Sequence, residues 1–573
     1  MMQDKIKAKF SRFEEIILVG LIFVLLLPTF APFFHRGFFP SHDNVQVVRV
    51  FEYFQSLRFG DIPPRWSSNL LYGHGYPLYI FYPPLAYLIG AFFVFLGFNF
   101  LISTKLVFIL GFLLGGFGMY FLIKRWWGTW PAFIAAIVFS YAPYRALDVY
   151  VRGNLAEFFS LSLFPFVVLA NYQLLTAKNK GLWRLAFSFS LFLLFIAHNT
   201  SAFIFGLFLL FFNLFYFLFL HPRHLKEDVF NLAGSGILAA TVSCFYWLPL
   251  IYETRFVMIG EFAQNPYWRC FLSLSKIWHT PWSFGGFIEE NPMSLQLGKA
   301  IIVFSILAAI LNFFIKTKFR KTIFFVFGML LLATYIELPA SDFLWRTLKV
   351  LPFLQFPWRF HVISTFCGAI LFAAFFYLSQ KHFQAKEWFK YLFPIFLLIV
   401  LSWHIFENYR FFKPSMFFDA PAVSESTTWH DEYLPRWVKL KPKTYASEKV
   451  KFTQGKGKVE KIEWGYLQKS FEVNSSTNSV IEIAHIYYPG WQAFVNGKKA
   501  VIDYNNDHGL MRLTLSPGEN QVTFKFLRTP LRAISEAVSL IGLLIYIVMI
   551  GFLLSPNDRK PGRKLVLPLW NKK

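Results

Sequence analysis

The sequence predicts a mostly α-helical fold, a polytopic transmembrane bundle of about twelve spans with an antiparallel β-domain inserted before the last span. Three observations predict it. Hydrophobic residues make up 56% of the 573 positions and charged residues only 15%, too little polar surface to cover a soluble globule. Several apolar runs, among them Ile16 to Phe34, Val107 to Ile123, Ile301 to Ile315 with its flanks and Ser539 to Leu554, match a hydrocarbon layer about 30 Å thick. Between Asn408 and about Thr529 the composition turns polar, with alternating strand-like runs such as Ser479 to Ile486 and Gln521 to Phe526.

The formal charge of +24 does not indicate nucleic acid, because Lys and Arg fall in short clusters between hydrophobic stretches, the pattern that orients membrane proteins. The three cysteines, Cys244, Cys270 and Cys367, show no CxxC spacing, which argues against a disulfide framework or a cysteine metal site. The apolar run after Lys5, Lys7, Lys9 and Arg12 ends in Pro32-Phe33-Phe34-His35 without a small-residue cleavage pattern and reads as a retained first span.

Basic clusters recur at the N-terminus, Lys124-Arg125, Lys178 to Arg184, His221 to Lys226, Lys316 to Lys321, Lys381 to Lys390 and Arg559 to Lys573. If all are cytoplasmic, an even number of spans separates each from the next. That parity excludes Leu78 to Phe98 as a span, and Pro83-Pro84 leaves it only a short helix, flat or re-entrant on the outer face. The expected organisation is a membrane domain over 1–407 with a large first outer loop at 35–102, an extracytoplasmic β-sandwich-like domain over 408–530, and a last span with a basic tail over 531–573. The expected location is the cell membrane, with both termini cytoplasmic. Pro489-Gly490, Asn496-Gly497 and Ser516-Pro517-Gly518-Glu519 are the turn signals of the β-domain.

Ionisable groups near helix ends in a bilayer cost several kcal/mol unless they face a cavity or a partner, which marks them for function. After the first span come Ser41-His42-Asp43-Asn44. Asp43 reads as a general base or a metal ligand, with His42 tuning it; Ser41, Asp43 or Asn44 also reads as the N-cap of a helix through Phe51 to Arg58. A second outer loop, Arg145 to Glu157, carries Asp148, Arg152, Asn154 and Glu157. Arg152 can bind a phosphate through its planar fork, or these charges form an internal ion pair. His198 and Arg359 add groups on the same face, against the plainer readings of a satisfied core histidine and a snorkelling arginine. The glycines Gly111, Gly115, Gly116 and Gly118 read as a helix-packing face. No phosphate loop, GxSxG elbow, HExxH or dinucleotide fingerprint is present.

The pieces SHDN at 41–44, YRALDVYVRGNLAEFF at 144–159, AHNTSAF at 197–203, QFPWRF at 355–360 and YYPGWQAFVNGK at 487–498 resemble bacterial membrane proteins with a 6-pyruvoyl-tetrahydropterin-synthase-related membrane domain. These are relatives of the YfhO-type membrane glycosyltransferases, and the loop plan resembles the C-type glycosyltransferase (GT-C) architecture. Nothing in the chain matches the soluble fold or zinc site of a pterin synthase. The resemblance implies transfer of a sugar from a polyprenyl-phosphate donor, in the lipid bilayer, to an extracytoplasmic glycan, lipid or protein. It places the catalytic acid or base on Asp43, with His42 and Glu157 beside it. Arg152, Asn154, Asp148, His198 and Arg359 would bind substrate. The first loop has His-Asp rather than Asp-Glu and the second lacks a DxD, which leaves a divalent metal ion on Asp43, Glu157 and His198 open. The alternatives are a transporter or flippase of lipid-linked intermediates and a non-catalytic envelope assembly protein.

Overall fold

The computed structural model describes residues 2–220, 224–260, 266–286, 292–419 and 431–554, the side chains of residues 2–12, 389, 390 and 554 excepted. The basic tail from Arg559 and part of the cluster from His221 therefore lie outside the described residues. Among the described residues eight helices are long and apolar enough to cross a membrane: Phe13–Phe34, Phe100–Trp127, Thr129–Tyr150, Leu155–Thr176, Asn199–Phe219, Pro357–Phe383, Tyr391–Tyr409 and Pro530–Leu553. Two pairs, Leu225–Val242 with Cys244–Phe256 and Arg320–Ile336 with Pro339–Thr347, qualify as spans broken by bends of 71° and 88°.

Among the described residues eight to ten spans thus meet that length, and the twelve expected are not confirmed. Two expected spans are Gly181–Phe195 and Lys299–Phe314, of 15 and 16 residues. At about 1.5 Å per residue they fall short of a core about 30 Å thick. Hydropathy registers their apolar character and not their early ends. The Leu78 to Phe98 stretch breaks at its proline pair into Leu78–Phe81 and Leu85–Phe95, each too short to cross.

The helix Phe100–Trp127 forms the bundle's axis and fixes its two ends. Lys105 Nζ donates to His35 O at 2.6 Å, beside the loop that carries Asp43, while Lys124 pairs with Glu15 at the other end. Its glycine face is a packing face with one unusual guest. A Cβ on Gly111 would meet the Phe158 ring at 2.5 Å, and one on Gly115 would meet the Arg145 guanidinium at 2.8 Å. Arg145 is fully buried, donates to Ser162 Oγ and Gly111 O, both at 3.2 Å, and lies over Phe139 and Phe158 at 4.7 and 4.6 Å. Ring faces and carbonyls therefore hold a charge that lipid would not. The three cysteines are buried and unpaired.

Among the described residues near the C-terminus, eight strands form two antiparallel sheets. One has the order β1(Val450–Gln454), β4(Ser479–Ile486), β7(Leu510–Leu515); the other β2(Gly457–Trp464), β3(Gln468–Ser475), β8(Gly518–Phe526), β5(Trp491–Val495), β6(Lys498–Ala500). Burial alternates along β3 and β8, as a strand with one face on a core requires. Asn496-Gly497 is a two-residue hairpin loop, with φ of 52° and 76° and Val495 opposite Lys498, the left-handed pair that such a turn needs. The other two turn signals make no hairpin. Pro489-Gly490 and Ser516-Pro517-Gly518 carry the chain from the first sheet to the second.

The sheets dock on the segment after Asp43. Trp66 Nε1 donates to His485 Nε2 at 3.1 Å, and its ring meets Trp491 and Phe526 at 5.8 and 5.3 Å. Arg532, opening the last helix, gives two hydrogen bonds to Glu253 at 2.8 and 2.7 Å, and the Tyr488 hydroxyl donates to the same carboxylate at 3.0 Å. One buried ion pair therefore ties two helices to the β-domain.

Glu52 makes the docking pH-dependent. It accepts from Asn69 Nδ2 and the Tyr466 hydroxyl, both at 2.8 Å, yet burial pushes its carboxyl up to about 7 from 4.5. A carboxyl raised in the folded state costs nothing below pH 4.5; its penalty builds between pH 4.5 and 7 and is constant above that. Glu52→Gln is therefore expected to leave stability unchanged near pH 4 and to raise it by about 3 kcal/mol above pH 7. Thermal unfolding of parent and variant at pH 4.5, 6 and 8 measures this; equal midpoints at pH 8 would contradict it.

Candidate functional site

The second outer loop is mostly helix. After Tyr141-Ala142 the chain continues as Pro143–Tyr150, buried throughout, and only 151–154 is non-helical before Leu155–Thr176 begins. This corrects the expected loop from Arg145 to Glu157. Pro143 at the helix start supplies the fixed φ that restarts the helix. The short turn docks on the first loop through its backbone: His42 N donates to Val151 O at 2.9 Å, Asp43 N to Arg152 O at 2.8 Å, and Gln46 Nε2 to Gly153 O at 2.9 Å. Gly153 has φ of 66°, and a Cβ there would lie 2.1 Å from Ser41 Oγ. Only glycine allows the two loops to meet.

Arg152 sits at the centre of a buried network. Its Nη1 and Nη2 donate to Glu157 Oε1 and Oε2 at 2.8 and 3.0 Å, and Nη1 reaches Asp148 Oδ1 at 2.5 Å. The Tyr144 hydroxyl donates to Glu157 at 2.5 Å. Trp358 covers the guanidinium, 4.6 Å from its ring centre. Asn154 caps the next helix, its Oδ1 accepting from Glu157 N at 3.1 Å. Two carboxylates thus share one arginine, and Arg359 lies within electrostatic reach of Glu157.

Asp43 is different. The helix it precedes is Gln46–Arg58, whose N-cap is Val45 without a side-chain cap, so none of Ser41, Asp43 or Asn44 caps it. Among the described residues the Asp43 carboxylate has no hydrogen-bond or ion-pair partner, and it is half-buried. It acts electrostatically on Arg49, Asp148 and Arg359. Arg49 lies over the Tyr82 ring at 4.0 Å and donates to the Tyr87 hydroxyl at 3.4 Å, which in turn donates to Gln46 Oε1 at 2.7 Å. Arg359 donates to Thr200 Oγ1 and Leu354 O, both at 3.0 Å, and its Nε is unpartnered. Neither Arg49 nor Arg359 has a carboxylate within ion-pair distance among the described residues.

His42 Nε2 lies 3.1 Å from Phe284 O. His198 caps Asn199–Phe219, its Nδ1 accepting from Ser201 N at 3.3 Å, and so takes the plainer of its two readings while remaining within electrostatic reach of Glu157. Among the described residues no three His, Cys, Asp or Glu side chains gather closely enough to hold a metal ion. Asp43, Glu157 and His198 share a neighbourhood without forming such a site.

Sequence reasoning missed Arg49, Gln46 and Tyr144. It also gave no role to Glu337, whose Oε2 lies 2.5 Å from His361 Nδ1, both fully buried, with the His361 ring 5.4 Å from that of Tyr144. A lone acid in the apolar run Tyr335-Ile336-Glu337-Leu338 was the available signal.

A family model described as a 6-pyruvoyl-tetrahydropterin synthase related domain, membrane protein, matches residues 79–411. The chain belongs to this family. It is a multi-pass membrane protein, and the matched region holds Asp148, Arg152, Glu157, His198 and Arg359 but stops short of Asp43. An uncharacterized protein of Lactococcus lactis subsp. cremoris is 22% identical over 342 residues, which is 56% of this chain and 54% of that protein; the match thus spans about half the length of the relative. Among solved structures, the mycobacterial arabinofuranosyltransferase AftD aligns with a TM-score of 0.45 and 14% identity over 71% of this chain and 28% of its own. ArnT from Cupriavidus metallidurans, bound to undecaprenyl phosphate, aligns with a TM-score of 0.28 and 12% identity over 64% and 77%.

Proposed function

We propose that this family member is a membrane glycosyltransferase of GT-C type that moves a sugar from a polyprenyl-phosphate donor to an extracytoplasmic acceptor. The observation that carries the reading is the contrast between two carboxylate settings at one end of the bundle. Asp148 and Glu157 are spent on Arg152, while Asp43 keeps a free carboxylate beside two arginines that lack acidic partners. A free carboxylate can take the proton of an acceptor hydroxyl as it attacks the sugar's anomeric carbon. Negative charge then grows on the leaving phosphate, which a desolvated arginine stabilises. Arg359 takes that task, since the guanidinium of Arg152 is already neutralised. Arg152, Asp148, Asn154 and Glu157 position the turn that holds the Asp43 backbone, and His198 fixes the helix that brings Thr200 to Arg359. His42 orients the loop toward Phe284, and the donor's lipid lies in the bilayer.

Arg359→Ala is expected to raise KM for a labelled polyprenyl-phosphate sugar at least ten-fold in purified protein, with a smaller change in acceptor KM. Unchanged donor KM and turnover would remove Arg359 from the phosphate. The paired Arg152 network is also what a non-catalytic assembly protein would contain; that second reading predicts no transfer by the parent protein at all.

A further inference from the structure

Between the first β-sheet and the irregular segment that precedes it lies a cavity of about 750 Å³. Four lysines line it, Lys439, Lys441, Lys443 and Lys451, against the two glutamates Glu448 and Glu482. With their partners, Lys439, Lys441, Lys443, Lys451 and Arg512 face Glu448, Glu482, Asp431 and Asp507, which leaves one cation in excess. Glu482 is shared by Lys451 at 2.9 Å and Arg512 at 2.7 Å, and Lys441 pairs with Asp431 at 2.7 Å. Lys439 reaches Asp507 only at 4.0 Å, and Lys443 has no ion pair among the described residues. At the same wall Tyr445 is 61% exposed, its ring edge-on to Tyr72 at 5.7 Å.

A concave surface with a surplus of positive charge focuses positive potential, and an exposed aromatic face offers a sugar ring a flat apolar platform. We infer that this cavity binds an acidic glycan, with a sugar ring on Tyr445 and its anionic groups against Lys439 and Lys443. The segment that forms the wall leads to the candidate site. At its start Tyr433 N donates to the Tyr76 hydroxyl at 3.0 Å, and the Tyr433 ring stacks on Phe81 at 5.2 Å, next to the Tyr82 that carries Arg49. In the proposed transfer reaction a glycan held in the cavity is the acceptor. That role rests on the proposed transfer reaction; the binding does not.

The test uses the full chain in nanodiscs of zwitterionic lipid, with phosphomannan and oligomannuronate as phosphate- and carboxylate-bearing probes and neutral mannan as control. At least one acidic glycan should bind ten-fold or more tighter than mannan, with affinity falling as salt rises. The double variant Lys439→Gln/Lys443→Gln should lose at least ten-fold, and Tyr445→Ala at least three-fold at any salt concentration. Asp43→Asn should bind the glycan like the parent, which separates this inference from the catalytic one. Equal binding of mannan, parent-like affinity of the double variant, or a lysine effect seen only on phosphatidylglycerol vesicles would overturn it.

Discussion

Arg152→Ala is expected to destabilise the protein by about 3–5 kcal/mol, because removing one partner of a buried charge network strands the others. Arg152 is 7% exposed, and Asp148 and Glu157 are 0% and 1% exposed. Without the guanidinium, two carboxylates and the Tyr144 hydroxyl would share a pocket closed by Trp358. The turn at 151–154 would loosen and take the backbone anchors of His42 and Asp43 with it. The measurement is the thermal midpoint and folded yield in detergent. Adding Glu157→Gln should recover part of the loss, since one stranded charge disappears while Tyr144 keeps an acceptor. A single variant with the parent's midpoint would show that the network contributes nothing to the fold.

Asp43→Asn is expected to act in the opposite way, leaving the thermal midpoint within about a degree and lowering sugar transfer by roughly 10²–10⁴, the range a positioned general base contributes. The side chain caps no helix and pairs with no cation among the described residues, so folding depends little on its charge. Asparagine keeps the shape and loses the proton acceptor. Turnover of a labelled lipid-linked sugar, with donor KM measured alongside, checks this. Turnover equal to the parent's would remove Asp43 from the reaction.

The solvent of the fold was legible because twenty apolar residues have few other uses, and β8 was legible because alternation marks a half-buried strand, while β4, buried along most of its length, was marked by its β-branched residues and flanking turns. Span number was less legible, since parity counts charges between helices and is blind to helix length: among the described residues Gly181–Phe195 stops after 15 residues, and the count of twelve is not confirmed. The short motifs around Asp43 and Arg152 stood out for density of charge in an apolar chain. Their division of labour did not. Arg152 reaches Asp148 four residues back and Glu157 five residues on only because Gly153 reverses the chain between them, and that reversal also sets the Asp43 backbone. Arg49 was hidden in Gln46-Val47-Val48-Arg49-Val50, which reads as an ordinary amphipathic helix until Tyr82 and Tyr87 from the short proline-broken segment close over it.

The most direct test of the central claim is a structure of the protein in nanodiscs with a non-hydrolysable polyprenyl-phosphate sugar. The phosphate is expected within hydrogen-bond distance of the Arg359 guanidinium, the anomeric carbon facing Asp43, and the Arg152 network unchanged. A headgroup bound at the Lys124 end of the bundle, or a phosphate that displaces Glu157 from Arg152 and leaves Arg359 untouched, would contradict it.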